Sequence, residues 1–136
     1  MVSLMLPLRG RIMLGRILIV DDDPLTHLLY KNHLERAGYQ TLAASSGAEA
    51  IATAKRELPQ LIIMDVIMAG MDGLTAIRAL KKSDATKGIH LIVITGNVDE
   101  HEATRKESEL AGATGFLTKP FSPAHLLEEV RRVLAA

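Results

Sequence analysis

The stretch from Ile17 to Pro24 reads Ile-Leu-Ile-Val-Asp-Asp-Asp-Pro, and it decides the fold that we expect of this chain. Four consecutive apolar residues are typical of a strand buried on both faces, and the acidic residues that follow indicate its carboxyl end. Three further apolar runs also end in polar residues, which are Asp65, Thr95 and Lys119. If the four runs are parallel strands, their polar ends lie along one edge of one sheet, where open α/β sheets bind ligands.

The remainder of the chain alternates apolar runs with helix-length segments, and this alternation predicts one α/β domain over 16–136. Continuous apolar strands joined by helices indicate a parallel sheet that helices cover on both faces. The second run, 39–44, mixes polar and apolar residues and is therefore expected at an edge of the sheet. The five strands are expected at 16–21, 39–44, 60–65, 90–95 and 114–118.

Capping residues mark the ends of the first two helices. Asp23 and Pro24 are typical of an N-cap and a first helical position. Ser46, with Glu49 three residues later, is typical of a capping box. Gly38 is expected to end the first helix, because glycine readily adopts the backbone conformation that follows a helix C-terminus.

The segment from Asp99 to Glu109 is almost entirely polar, although it lies where the fourth helix is expected. A helix with so little apolar surface gains little free energy from packing. We therefore predict that this helix is the least firmly docked element of the domain and the one that moves most easily.

Residues 1–15 form a segment of a different character, with apolar residues interrupted by Pro7 and Arg9. The apolar stretch is too short to span a bilayer, and no basic segment precedes it as in a secretory signal. We interpret it as a flexible N-terminal extension, or as the product of a start codon assigned too early, with Met13 as the natural start. An amphipathic contact for a partner is the alternative interpretation.

Composition excludes several classes of function. The formal net charge is +0, so no overall field attracts nucleic acid or an anionic membrane. The aromatic fraction is only 3%, which argues against a base-stacking surface, and the absence of cysteine excludes disulfides and thiolate metal sites. The chain is therefore expected to bind no nucleic acid, to insert into no membrane and to act in the cytoplasm.

The candidate cation ligands are Asp21, Asp22 and Asp65. The first and third strands are expected to be neighbours, so their terminal carboxylates would be close enough to share one cation. Hard oxygen ligands with open positions favour Mg²⁺. Asp65 could then attack an activated phosphoryl group, while Lys119 and Thr95 hold phosphoryl oxygens. Each residue alone has a structural explanation, and only their joint placement indicates a site.

The motifs resemble those of receiver domains of two-component response regulators. The resemblance covers about 16–136 and implies a flavodoxin-like, doubly wound five-stranded sheet with strand order 2-1-3-4-5, similar to single-domain chemotaxis regulators. It rests on the first stretch quoted above, on Met-Asp at 64–65 with Gly-Met-Asp-Gly at 70–73, on Val-Ile-Thr-Gly at 93–96 and on Phe-Leu-Thr-Lys-Pro-Phe at 116–121.

By position, the resemblance implies that Asp65 is the phosphoacceptor and that Asp21 and Asp22 are the acidic pair. These three carboxylates would bind Mg²⁺, and the backbone carbonyl of Ile67 would complete the metal sphere. Such a protein assists its own phosphorylation and dephosphorylation without being an enzyme in the sense of turnover.

The resemblance also implies a switch. Thr95 and Lys119 would contact the phosphoryl group, and the inward movement of Thr95 would let Phe116 turn into the vacated space. This movement would repack the face made by the fourth helix, fifth strand and fifth helix. The implied partners are a sensor histidine kinase or phosphotransfer protein as donor and an unknown output protein in trans, with a homodimer through the same face as a further possibility.

Two other functions remain open. The first is a binding module that keeps the receiver fold without control by phosphorylation. The second is a phosphatase of the haloacid-dehalogenase type, which also uses an aspartate nucleophile, Mg²⁺ and a lysine. Leu25 stands where the first motif of those phosphatases has Thr or Val, and no acidic pair follows Lys119 on a strand, so the sequence disfavours this alternative.

Overall fold

The computed structural model describes residues 7, 8, 11, 12, 14–66, 73–96 and 101–135. Five parallel strands form one sheet. They are β1 (Arg16–Val20), β2 (Gln40–Ala44), β3 (Leu61–Asp65), β4 (His90–Thr95) and β5 (Gly115–Thr118). Five helices connect and follow them, namely α1 (Pro24–Arg36), α2 (Gly47–Glu57), α3 (Gly73–Lys82), α4 (His101–Ala111) and α5 (Pro123–Ala135).

The strand order is β2-β1-β3-β4-β5, which confirms the flavodoxin-like topology expected from the sequence. Each strand lies within its predicted range and is at most one residue shorter. The mixed second strand is at an edge of the sheet, as predicted. Ahead of the sheet, Pro7–Leu8 and Arg11–Ile12 form a short antiparallel pair. The interpretation of residues 1–15 as an extension or a misassigned start stays a prediction.

Alternation along the strands divides the core into two layers, because successive strand residues point to opposite faces. Ile62 and Met64 of β3 pack with α2 and α3 on one face. Leu61 and Ile63 pack with α1 and α5 on the other face. These side chains are almost fully buried, so the sheet is covered on both faces, as continuous apolar strands require.

The predicted caps are present. Asp23 accepts a hydrogen bond from the backbone N–H of Leu25 (3.0 Å) and Pro24 opens α1, while Gly38 follows that helix at φ +104°. Ser46 accepts from the backbone N–H of Glu49 at 3.1 Å. The Glu49 carboxylate accepts from the N–H of Ser45, one residue earlier than in a standard capping box.

The polar character predicted for α4 is visible in the part of the helix whose side chains are described. From Arg105 to Leu110 only Ser108 is buried. The weak docking of this helix stays a prediction. Among the described residues, no helix is both long enough and apolar enough to cross a membrane.

Candidate functional site

The carboxyl ends of β1, β3, β4 and β5 meet at one edge of the sheet, and this edge holds the residues that the sequence predicted. Asp65 ends β3 and pairs in register with Ile94, and the next residue, Thr95, pairs with Thr118. Lys119 follows directly after β5. Parallel pairing therefore places an acid, a hydroxyl and an ammonium on adjacent strand ends.

Lys119 joins the two deepest carboxylates of this edge. Its Nζ lies 3.1 Å from Asp65 Oδ2 and 3.9 Å from Asp21 Oδ2. Its backbone N–H donates to the carbonyl of Thr95 at 2.8 Å, which fixes the residue to β4. The bond between Lys119 and Pro120 is cis. The hydrogen bond to Thr95 places the Lys119 backbone beside β4, and attraction to the two carboxylates holds its ammonium at the acidic site.

Asp21 is a buried carboxylate with one unsatisfied oxygen. Its Oδ1 accepts the backbone N–H of Asp23 at 2.8 Å, whereas Oδ2 accepts no hydrogen bond from any described residue. Burial raises the pKa of Asp21, and the nearby charges of Asp65 and Asp22 raise it further. A bound cation would offset both the burial and the repulsion, so this acid fits a divalent metal ion.

The described side chains supply only part of a metal sphere. No three Asp, Glu or His side chains within the described ranges are placed to hold one ion between them. Asp22 is exposed at the end of β1, near enough to act on the pKa of Asp21. The predicted ligand Ile67 lies outside the described residues. Mg²⁺ commonly takes one or two protein carboxylates and keeps several waters, so the donors present suit Mg²⁺ better than an ion that needs an all-protein cage.

Two residues of α1 lie near the acidic edge, although no pattern in the sequence was a reason to select them. His27 Nε2 donates to the backbone carbonyl of Asp21 at 2.6 Å. Tyr30 is buried, and burial, with smaller contributions from the charges of Asp21 and Asp65, raises its pKa to about 12. The five histidines show no ligand spacing in the sequence, so only the folded backbone identifies His27 as a support of Asp21.

Thr95 and Phe116 line one cavity of about 630 Å³, together with side chains of α4 and α5. Thr95 is buried, whereas the Phe116 ring is half-buried and packs against the core layer that α2 and α3 share. The cavity therefore connects the acidic edge to the surface formed by α4, β5 and α5. This is the arrangement expected of two residues that move together, although the movement itself stays a prediction.

Gly73, the first residue of α3, packs directly against the strand that carries Asp65. A Cβ at this position would lie 2.7 Å from Val66 Cα and 2.8 Å from the Asp65 carbonyl oxygen, which are both backbone atoms. We expect Gly73→Ala to displace α3 or the end of β3 and to lower the free energy of unfolding by about 1–3 kcal/mol, as urea unfolding would measure. Gly88→Ala is the matched control, because a Cβ there meets nothing within 4 Å. Equal effects of the two substitutions would contradict the expected clash.

The fold and the site together define a class of protein. The family model for the response regulator receiver domain matches residues 17–131, and the chain belongs to this family. Receiver domains are phosphoacceptor signalling modules rather than enzymes of the usual kind. The resemblance found in the sequence motifs is thus confirmed over nearly the whole domain.

Among individual proteins, the chain is similar to the protein PilH of Pseudomonas aeruginosa, with 36% identity over 122 residues that cover 90% of this chain and 99% of PilH. It is 34% identical to the chemotaxis protein CheY of Bacillus subtilis over 123 residues, again 90% of this chain and 99% of the relative. The receiver domain of the sensor histidine kinase PA1611 of Pseudomonas aeruginosa, solved with a magnesium ion in its active site cleft, has a TM-score of 0.81 and 26% identity, covering 90% of this chain and 98% of that domain.

Proposed function

We propose that this chain is a response regulator controlled by phosphorylation, which accepts a phosphoryl group on Asp65 from a phosphohistidine in another protein. The observation that carries the proposal is the position of the Lys119 ammonium, 3.1 Å from Asp65 and 3.9 Å from Asp21. An acceptor carboxylate with a cation on one side and a second, unsatisfied acid beside it is suited to a group that brings several negative oxygens. The protein would act in the cytoplasm.

The transfer step requires few groups of the protein. An oxygen of the Asp65 carboxylate attacks phosphorus, and the new P–O bond forms as the P–N bond to the donor imidazole breaks. The electron pair of the P–N bond returns to the imidazole nitrogen, which takes up a proton from water. Phosphoryl transfer depends mainly on positioning and on neutralising oxygen charge, so a small receiver can promote it.

The remaining site residues hold the transferred group. Lys119 leaves its pairing with Asp65 to contact a phosphoryl oxygen, and the Thr95 hydroxyl donates to another. Asp21, Asp22 and Asp65, with the carbonyl of Ile67, would hold Mg²⁺, which when bound supplies positive charge against the phosphoryl oxygens. Asp21 benefits most from the cation, because its Oδ2 is buried and accepts no hydrogen bond from the described residues.

An apolar surface beside the site supports a protein as the donor. Leu25, Leu28 and Leu29 of α1 are 74%, 54% and 54% exposed, and α1 begins immediately after the acidic residues. Exposed leucines at this spacing share one side of the helix. A small phosphorylated molecule does not need such a surface, whereas a helical protein that presents a phosphohistidine can bury it during transfer.

We expect Leu25→Ser to slow transfer from a phosphohistidine protein by about tenfold, the loss that follows from burying less apolar area in the encounter complex. Phosphorylation by acetyl phosphate should be unchanged, because the small donor does not contact α1. Leu110→Ser is the matched control, since Leu110 is 86% exposed on α4. Stopped-flow or gel-based transfer assays measure both rates, and equal slowing by the two donors would rule out a docking role for Leu25.

The output surface that we propose is the face of α4, β5 and α5, where the cavity shared by Thr95 and Phe116 opens. An output protein in trans would bind this face after Phe116 has moved. A second copy of the chain would occupy the same surface, so sedimentation of the phosphorylated protein distinguishes a homodimer from a monomer that awaits another partner.

The proposed function is tested by incubating the purified chain with acetyl phosphate and Mg²⁺ and measuring the intact mass. We expect addition of one phosphoryl group, no addition when EDTA is present from the start to remove the metal, and location of the group at Asp65 after borohydride reduction and peptide mapping. No incorporation from acetyl phosphate or from a phosphohistidine protein would instead indicate a receiver-fold binding module. Sustained release of phosphate from phosphate monoesters would indicate a phosphatase.

A further inference from the structure

The outer edge of β5 is occupied by side chains of α5 instead of a sixth strand. The backbone N–H of Phe116 donates to Glu129 Oε2 at 2.8 Å, and Arg132 Nη2 donates to the carbonyl of Thr114 at 2.9 Å. A carboxylate and a guanidinium thus take the places of the acceptor and donor that a neighbouring strand would offer. This pairing protects an edge that would otherwise be open to another chain.

Glu129 and Arg132 also bind each other. Arg132 Nε donates to Glu129 Oε1 at 2.8 Å and its Nη2 donates to Oε2 at 2.9 Å. The Glu129 side chain is only 16% exposed. The Arg132 hydrogen bond in particular holds the pKa of Glu129 below its usual value, so the carboxylate is charged at neutral pH. The backbone of Phe116 is therefore fixed, and the residue can respond to the site mainly by rotation of its ring.

The ring itself is held from a different helix. The guanidinium carbon of Arg105, on α4, lies 5.0 Å from the centroid of the Phe116 ring, within the range of a cation–π interaction. Arg105 Nε also lies 3.4 Å from Glu109 Oε1, which keeps the guanidinium on this side of α4. Both Arg105 and Phe116 line the cavity that also contains Thr95.

We infer that Arg105 is a positioning residue, which stacks on the Phe116 ring and holds it outside the space next to Thr95 until Asp65 is phosphorylated. The inference rests on the proposed function and adds to it that α4, as well as the phosphoryl group, sets the switch. The inference includes that the ring leaves Arg105 when it turns towards Thr95, so that the stack stabilises the resting state against the phosphorylated one.

Linkage makes the effect measurable as a binding constant. A contact made only in the resting state lowers the affinity of every ligand that favours the other state. Removing the contact raises the affinity of that ligand by the same factor. An exposed cation–π contact corresponds to a factor of about two to five. We therefore expect Arg105→Gln to bind beryllofluoride with Mg²⁺, a mimic of the phosphoryl group, about two- to fivefold more tightly than the unmodified protein.

The composition of the chain allows a direct probe of the ring. The sequence contains two phenylalanines, Phe116 and Phe121, so labelling with 4-fluorophenylalanine gives two ¹⁹F resonances. Phe121 packs against the core layer of α1 and α5, with its ring 5.6 Å from that of Tyr30, and serves as the internal reference. In the resting protein, Arg105→Gln should shift the Phe116 resonance towards its beryllofluoride-bound position and leave Phe121 unchanged.

Three variants separate the stack from general effects of charge. Lys106→Gln removes the same charge from the next residue of α4, which is exposed. Glu109→Gln removes the partner of Arg105 and keeps the guanidinium. Arg105→Lys keeps a cation that can still reach the ring. The Phe116 resonance of this variant in the resting state should therefore lie between those of Arg105→Gln and the unmodified protein. Lys106→Gln should leave the midpoint of the beryllofluoride titration within twofold of the unmodified protein. Glu109→Gln, which frees the guanidinium from its partner, should tighten binding less than Arg105→Gln does.

The outcomes distinguish the inference from the proposed function. If the unmodified protein incorporates no phosphoryl group from acetyl phosphate, the proposed function fails and the inference fails with it. If it incorporates the group but shows no ¹⁹F response to beryllofluoride and Mg²⁺, only the inference is wrong. If it responds, and Arg105→Gln has the same midpoint and the same resting resonance, only the inference is wrong. If Lys106→Gln tightens binding as much as Arg105→Gln, the effect is one of charge and the inference is again wrong.

Discussion

Replacing Asp65 by Asn is expected to abolish phosphorylation by both acetyl phosphate and a phosphohistidine protein. The amide is nearly the same size as the carboxylate, but it lacks the negative oxygen that attacks phosphorus. It also loses the charge that pairs with Lys119 at 3.1 Å. Intact mass after incubation with donor and Mg²⁺ should show no phosphoryl group.

The fold should tolerate this substitution. Asp65 is nearly buried beside Asp21, and the charge of Asp65 is one cause of the raised pKa of Asp21. Removing the charge of Asp65 relieves that repulsion, which offsets the lost pairing with Lys119. The circular dichroism spectrum and the thermal midpoint should therefore remain close to those of the unmodified protein. The loss of phosphorylation would then result from the missing carboxylate and not from unfolding.

The matched control for Asp65→Asn is Asp23→Asn. Asp23 belongs to the same acidic cluster, but it is exposed and its side chain caps α1 by accepting from Leu25 N–H and from the Thr26 hydroxyl. Asparagine caps helices about as well as aspartate. Asp23→Asn should therefore be phosphorylated normally. Phosphoryl incorporation by Asp65→Asn at the normal rate would show that the acceptor is another residue.

The largest loss of stability is expected from truncation at the centre of the sheet. Ile63 lies on β3, between β1 and β4, and its side chain is 1% exposed in the core layer shared with α1 and α5. Ile63→Ala removes buried apolar volume that rigid neighbours cannot refill. We expect the free energy of unfolding to fall by about 2–5 kcal/mol, measured by urea unfolding with circular dichroism.

Loss of the Ile63 side chain should also weaken the site indirectly, because Asp65 is two residues further along the same strand. A domain of this size is typically stable by about 5–15 kcal/mol, so a fraction of the variant would be unfolded at elevated temperature and unable to accept a phosphoryl group. Leu110→Ala is the control, since Leu110 is 86% exposed and its loss should change stability by no more than about 0.5 kcal/mol. Comparable losses at the two positions would contradict the assigned core.

Much of the fold was predictable because local patterns determine it. Four apolar runs marked the buried strands, and the mixed run at 39–44 marked an edge strand. The caps of α1 and α2 could also be predicted, because the side chain that satisfies the first backbone N–H groups of a helix is only two or three residues away from them. Only the position of the Glu49 contact differed, by one residue, because the exact partner of a flexible carboxylate depends on the turn before the helix.

The site was predictable only as a set of strand ends. The sequence indicated that Asp21, Asp65, Thr95 and Lys119 share one edge, because parallel strands align their carboxyl ends. It contained no signal for Glu129, whose spacing on α5 is that of an ordinary polar helix face. Its contact with the N–H of Phe116 depends on how α5 crosses the edge of the sheet.

The sequence by itself determined which residues become strands, which helices follow them and which polar groups stand at the strand ends, because hydrophobic periodicity and capping act over a few residues. Only the tertiary structure decided that the Lys119 ammonium lies between Asp65 and Asp21, that Asp21 is buried with an unsatisfied oxygen, and that Arg105 lies over Phe116. Those relations join residues on different elements, and their distances and burial depend on how the sheet and helices pack together.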